Sequence, residues 1–128
     1  MRSVVLIPTY NEIDSLPSAL DRVRSAAVQA HILVIDDNSP DGTGALADAR
    51  AQSDDHIHVL HRTEKNGLGP AYLAGFKWAL ENDFELIIEM DADGSHRAED
   101  LALLIQRAEM ADKPDLVIGS RWISGGAT

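Results

Sequence analysis

Five short apolar runs constrain this chain more than any other feature: Val4 to Ile7, Ile32 to Ile35, Ile57 to Leu60, Leu86 to Ile88 and Leu116 to Ile118. Most are rich in β-branched residues and almost unbroken by polar ones. A strand reads this way when both of its faces are covered, as in a parallel sheet. Segments of helical spacing lie between the runs. Leu16, Leu20, Val23 and Ala27 fall on one helical face, as do Ala71, Ala74, Gly75 and Trp78, and again Leu101, Leu104, Ile105 and Ala108. The alanine-rich stretch from Thr43 to Gln52 also reads as helix. Strand and helix therefore alternate, which predicts right-handed βαβ units and an α/β fold built on a doubly wound, mostly parallel sheet. At 128 residues, the span 1–128 fits a single domain, without repeat, linker or low-complexity tract.

Charge narrows the function. Eleven Lys and Arg against 21 Asp and Glu leave a formal charge of −10. A surface that acidic repels phosphate backbones and anionic lipid, which argues against a nucleic-acid partner. The chain has no cysteine, which excludes disulfides, thiolate zinc sites and a cysteine nucleophile, and is compatible with a reducing compartment. No apolar run approaches the ~20 residues of a membrane span, and the first residues lack the layout of a signal peptide.

Ligands of open α/β sheets bind in the crevice beyond the carboxyl ends of the strands. The polar segments after each run are thus the ones that carry chemistry. Asp91-Ala92-Asp93 follows an apolar run, so two carboxylates are held at the sheet edge. Hard oxygen ligands on a rigid strand end suit Mg²⁺ or Mn²⁺, and such a cation lets an acidic protein bind a diphosphate. The alternative is a solvated turn whose aspartates cap the next helix.

Asp37, Ser39, Asp41, Gly42 and Asp48 match the spacing of a calcium-binding loop. That loop needs a helix in front, whereas Ile32 to Ile35 reads as a strand, so calcium is rejected here. Asp37 is better suited to accept hydrogen bonds from a sugar or base, with Ser39 to Gly42 forming the turn into the next helix. After the first run, Pro8 ends the strand, and Tyr10 and Glu12 offer a ring and a carboxylate for a nucleobase. A helix-capping turn at Asn11 explains half of the same residues. Lys65-Asn66-Gly67-Leu68-Gly69 lacks the full pattern of a phosphate loop, and its glycines are expected to let the next helix start close to the sheet. Lys65 and Arg62 reach either an anion or solvent. Arg121 suits a phosphate or a neighbouring Asp. His56 and His58 share a strand face while His61 points away, which disfavours a metal cage.

Taken together, Pro-Thr-Tyr-Asn-Glu at 8–12, Asp-Asp-Asn-Ser-Pro-Asp-Gly-Thr at 36–43, Lys-Asn-Gly-Leu-Gly-Pro-Ala-Tyr at 65–72, Met-Asp-Ala-Asp-Gly-Ser-His at 90–96 and Gly-Ser-Arg-Trp at 119–122 resemble, in order and spacing, the family 2 glycosyltransferases. These are inverting enzymes of the GT-A fold. The third motif and Ser-His are most similar to the dolichyl-phosphate and polyprenyl-phosphate mannose synthases.

The resemblance implies transfer of mannose from GDP-mannose to a polyprenyl or dolichyl phosphate. By it, Pro8, Tyr10, Glu12, Ile35 and Asp37 hold the nucleoside, Asp91, Ala92, Asp93 and Arg121 complete the donor site, and Asp91, Asp93 and Ser95 hold Mg²⁺ or Mn²⁺. Asp91, Asp93 and Arg121 are the expected catalytic residues. Two departures stand out. Arg97 and Ala98 follow Ser-His where the family commonly has a proline, and the chain stops at Thr128 where the family continues. The resemblance therefore implies a donor-binding part without the acceptor part, acting at the cytoplasmic face of a membrane through peripheral association supplied by further segments or a partner. Three alternatives remain at this point: UDP-glucose or another donor, a nucleotide-binding fragment without turnover, and a haloacid-dehalogenase-type phosphatase with Asp91 as nucleophile. The last fits poorly, since that motif belongs on a first strand and takes Thr or Val where Ser95 stands.

Overall fold

The structure is a computed structural model and describes residues 2–63, 68–90 and 92. Four strands and three helices alternate: β1 (Ser3–Thr9), α1 (Leu16–Ala26), β2 (His31–Asp36), α2 (Thr43–Ser53), β3 (Ile57–His61), α3 (Leu68–Glu81) and β4 (Leu86–Glu89). The strands form one sheet in the order β3-β2-β1-β4, with every pairing parallel. This is the expected α/β architecture. The expected fifth strand at Leu116 to Ile118 and the helical face Leu101, Leu104, Ile105, Ala108 lie outside the described residues.

β1 is an interior strand and all seven of its residues are buried, which is why its sequence shows no polar alternation. Its side chains divide between two cores. Val5 and Ile7 join Ile32, Val34, Leu86 and Ile88 on the face covered by Leu16, Leu20 and Val23 of α1 and Ala47 of α2. Val4 and Leu6 join Leu33, Ile35 and Ile87 on the opposite face, against Ala71 and Ala79 of α3. In α3, Ala71, Gly75 and Ala79 form the line that meets the sheet, while Ala74 and Trp78 of the expected face are only half-buried. In α1, Ala27 caps the helix rather than belonging to it.

The close approach expected of Gly69 is made by Gly75 instead. A β-carbon on Gly69 would meet nothing within 4 Å, whereas one on Gly75 would sit 2.6 Å from Ile35 Cδ1 and 3.1 Å from Leu6 Cδ1. The glycine that brings α3 onto the sheet is therefore in the middle of the helix; Gly67 lies outside the described residues.

The amino-terminal edge of the sheet, away from the ligand crevice, carries a stack of rings. His31 stacks on His56 at 4.0 Å between centroids, and its Nδ1 lies 2.9 Å from His58 Nε2, so one proton is shared between them. Trp78 and Phe84 continue the stack. His58 and His61 lie on opposite faces as expected, with His61 Nε2 2.9 Å from Asp48 Oδ1 on α2. Burial, then the neighbouring His56 and His58 and the Arg2 and Arg24 charges, lowers His31 from 6.5 to about 4. Burial likewise lowers His58.

Candidate nucleotide site at the strand ends

The chain leaves β1 through α1 on one face and reaches β4 through α3 on the other, so the sheet order reverses between β1 and β4. Such a switch point opens a crevice at the carboxyl ends of the two strands. Pro8 widens it. The Leu6 carbonyl accepts from Met90 N–H at 3.0 Å and so faces β4. Two residues on, Pro8 faces the same way and has no N–H to continue the ladder. The pairing with β4 stops at Leu6 opposite Glu89, while β1 pairs with β2 through Pro8 to Thr9. Pro8 therefore lies within β1, one residue before its end, and terminates only the β4 side.

Past Thr9 the chain turns through Asn11, whose φ of 57° is left-handed. Asn11 is not the helix cap: α1 begins at Leu16 with Ser15 as its N-cap, and Ser15 Oγ donates to Glu12 Oε2 at 2.9 Å. Asn11 instead donates its backbone N–H to Ser39 Oγ at 3.0 Å. The next two N–H groups are also taken by the second motif, Glu12 by Thr43 Oγ1 at the start of α2 at 3.0 Å and Ile13 by Asp41 Oδ2 in the loop before it at 3.2 Å. Three successive donors thus bind the first motif to the second. Asp41 also accepts from the hydroxyl and backbone N–H of Thr43, and the hydroxyl is the main cause of its carboxyl lying below the ordinary carboxylate range.

Asp36 is the buried anchor of this lattice, at 2% exposure. Its carboxylate accepts Thr9 Oγ1 at 2.8 Å, Ser39 Oγ at 2.6 Å and Ser39 N–H at 3.1 Å. A β-carbon on Gly44, in the first turn of α2, would sit 2.9 Å from Asp36 Oδ2, so the helix can begin there only on glycine. Gly42, the N-cap of α2, has φ of 95°, a conformation that glycine adopts without steric penalty.

The expected nucleoside residues are brought to this rim in unequal ways. Tyr10 is exposed at 37% and Glu12 is half-buried, so both are accessible. Asp37 is buried and paired with Arg62, whose Nη1 lies 3.1 Å from Oδ1 and 3.3 Å from Oδ2. Ile35 is different: its side chain is fully buried against α3, so it supports the end of β2 from beneath. Ala92 is also buried. Asp91, Asp93, Ser95 and Arg121, and the loop residue Lys65, lie outside the described residues. The calcium-like spacing is preceded by β2, a strand, and its Asp37, Ser39 and Asp41 serve three separate partners. Sequence reasoning did not assign Thr9, Asp36 or Thr43 to the site, and it left Arg62 between an anion and solvent, where the structure pairs it with Asp37. The parallel register was the available signal, since Pro8 opposite Ile35 and Asp36 opposite His61 set these residues side by side.

Residues 4–128 match the family model of glycosyl transferase family 2. The chain belongs to this family. It is 56% identical over 98% of its length to an undecaprenyl-phosphate mannosyltransferase of Micrococcus luteus, and 55% identical over 98% to a polyprenol monophosphomannose synthase of Mycolicibacterium smegmatis. It covers 51% and 47% of those two proteins, so the chain spans about half the length of the curated relatives it matches. Among solved structures, a mannosyltransferase from Pyrobaculum calidifontis in complex with GDP-Man and Mn²⁺ superposes with a TM-score of 0.71 at 26% identity, covering 84% of this chain and 32% of that one. Staphylococcus aureus TarS has the same fold, with a TM-score of 0.71 at 20% identity, covering 85% of this chain and 32% of that one. The first motif stands at the end of β1, which borders the switch-point crevice, and the second at the end of the adjacent β2.

Proposed function

We propose that this chain is the donor-binding part of a metal-dependent mannosyltransferase that moves mannose from GDP-mannose to a polyprenyl phosphate. The observation that carries the reading is the 56% and 55% identity, over 98% of the chain, to two proteins named for that acceptor and sugar. The crevice at the β1–β4 switch point supports it, because the segment after β1 carries an exposed ring and a half-buried carboxylate, Tyr10 and Glu12, and is hydrogen-bonded to the segment after β2 that carries Asp37.

In this reading Tyr10 and Glu12 contact the nucleoside, Asp37 accepts its hydrogen bonds, and Pro8, Ile35 and the buried Ala92 shape the rim. Asp91, Asp93 and Ser95 form the metal site. Two carboxylates and a hydroxyl are hard oxygen donors, and the neighbouring rim is itself acidic, with Glu12, Asp36, Asp37 and Asp41 on the strand ends. That chemistry fits Mg²⁺ or Mn²⁺ and disfavours a softer ion. When bound, the divalent cation neutralises the donor diphosphate and stabilises it as leaving group.

The protein's own work is alignment. An acceptor phosphate monoester carries most of its second negative charge near neutrality, so its oxygen attacks the sugar C1 without a protein base. The C1–oxygen bond to the diphosphate breaks as the new one forms, GDP departs, and the anomeric configuration inverts. Arg121 holds phosphate on the donor or the acceptor, and the fixed rim holds the nucleoside in line. Among the described residues no helix is long and apolar enough to cross a membrane. Work on a lipid acceptor at the cytoplasmic face is assigned to peripheral association supplied by further segments or a partner.

Incubating the chain with radiolabelled GDP-mannose, a polyprenyl phosphate and Mn²⁺ tests this reading. The expected product is a lipid-extractable mannose phosphodiester, with none formed from UDP-glucose. Transfer from UDP-glucose in preference to GDP-mannose would contradict the donor assignment. Binding of GDP-mannose without transfer would confine the chain to donor binding.

A further inference from the structure

Asp37, given above to the nucleoside, is held from both flanking strands. Its backbone N–H donates to the Thr9 carbonyl at 3.1 Å, which ties it to the end of β1. Its carboxylate meets Arg62 Nη1 through both oxygens, at 3.1 and 3.3 Å, beyond the end of β3. Arg62 is itself fixed, because its backbone N–H donates to the Asp36 carbonyl at 2.8 Å. The two side chains are only 17% and 7% exposed, so solvent and salt screen the pair weakly.

We propose that Arg62 is a positioning residue for the donor nucleotide, acting through Asp37 rather than by touching the nucleotide itself. The inference rests on the donor reading above. Two physical effects follow from the pair. A lone carboxylate rotates about its side-chain bonds and must be ordered when a ligand binds; one pinned by a guanidinium is ordered beforehand. The second effect is charge. The rim already carries Glu12, Asp36 and Asp41, and an unpaired Asp37 would add repulsion against an incoming diphosphate. A carboxylate has about four acceptor sites, so it accommodates a guanidinium N–H and a ligand donor together. Arginine suits the task better than lysine because its planar group is always charged and loses little freedom per hydrogen bond formed.

A double-mutant cycle on nucleotide affinity separates this role from a merely structural one. GDP is titrated with Mn²⁺ into the unmutated chain, R62M, D37N, the double variant and R62K, with ligand-free thermal unfolding of each as the control for folding. Arg62→Met is expected to weaken GDP binding by about tenfold or more. In the D37N background the same change is expected to weaken it by less than about threefold, since Arg62 has then lost the group through which it acts. Arg62→Lys, which keeps the charge, is expected to recover part of the loss. Folded R62M that binds GDP as the unmutated chain does would overturn the inference. So would fully additive effects, which would mean that Arg62 touches the nucleotide directly. No GDP binding by the unmutated chain would overturn the donor reading itself, and this inference with it, a result distinct from both.

Discussion

Ile35 Cδ1 lies 2.6 Å from the position that a β-carbon on Gly75 would occupy, so α3 rests on the sheet at a separation that only glycine permits. Ile35 is fully buried, and Leu6, whose Cδ1 would be 3.1 Å from the same β-carbon, closes the other side. The contact links the packing of α3 to the rim, because the residue after Asp36 on the same strand end is Asp37.

Gly75→Ala sets two effects against each other. Alanine gains about 1 kcal/mol of helix propensity over glycine. Overpacking a closed core costs about 1–3 kcal/mol. Ile35 and Leu6 are both fully buried, so overpacking is expected to win and the melting temperature to fall by about 4 °C or more. An unchanged or raised melting temperature would show that α3 can lift without penalty.

Asp36 accepts three donors, from Thr9 and Ser39, at 2% exposure. Asp36→Ala leaves them unsatisfied, at about 1–3 kcal/mol for such a buried loss. It also frees Ser39, which holds the backbone of Asn11. Lower thermal stability and weaker GDP binding are therefore expected together. Retained affinity in a destabilised variant would mean that the loop after β1 keeps its shape without this lattice.

The architecture was legible because β1 and β2 are buried on both faces and read as unbroken apolar runs, while the partly buried edge strand β3 keeps enough of its run to be recognised despite His58. Two misassignments have a physical cause. Gly69 stands at a helix start and looks like a residue of close approach, yet closeness is decided by which helix line meets the sheet, and that line is Ala71, Gly75, Ala79. Asn11 looks like a helix cap, but left-handed backbone and a bond to Ser39, 28 residues away, give it another task. The Asp37–Arg62 pair and the His31–His58 contact join residues 25 and 27 apart. Only the parallel register, Asp36 to His61 and Leu33 to His58, brings them within reach.

The ring stack makes stability depend on pH. His31 takes a proton near 6.5 when unfolded but only at about 4 when folded. Between those values the unfolded state binds more protons, so stability rises with pH across this window and is lost as pH falls from about 6.5 toward 4. His58 is shifted in the same direction. Melting temperatures of the unmutated chain and His31→Gln, taken from pH 7.5 to 4.5, are expected to converge as pH falls, with the steeper loss in the unmutated chain. Parallel curves would remove His31 from the account.

The most direct test of the central claim is a calorimetric titration of GDP into this chain with Mn²⁺ and again with chelator, repeated for the Asp91→Ala/Asp93→Ala variant. The account predicts saturable GDP binding with Mn²⁺ that weakens at least tenfold with chelator and in the variant, about 1.4 kcal/mol or more. GDP binding of equal strength in all four titrations, or no nucleotide binding by well-folded protein, would contradict it.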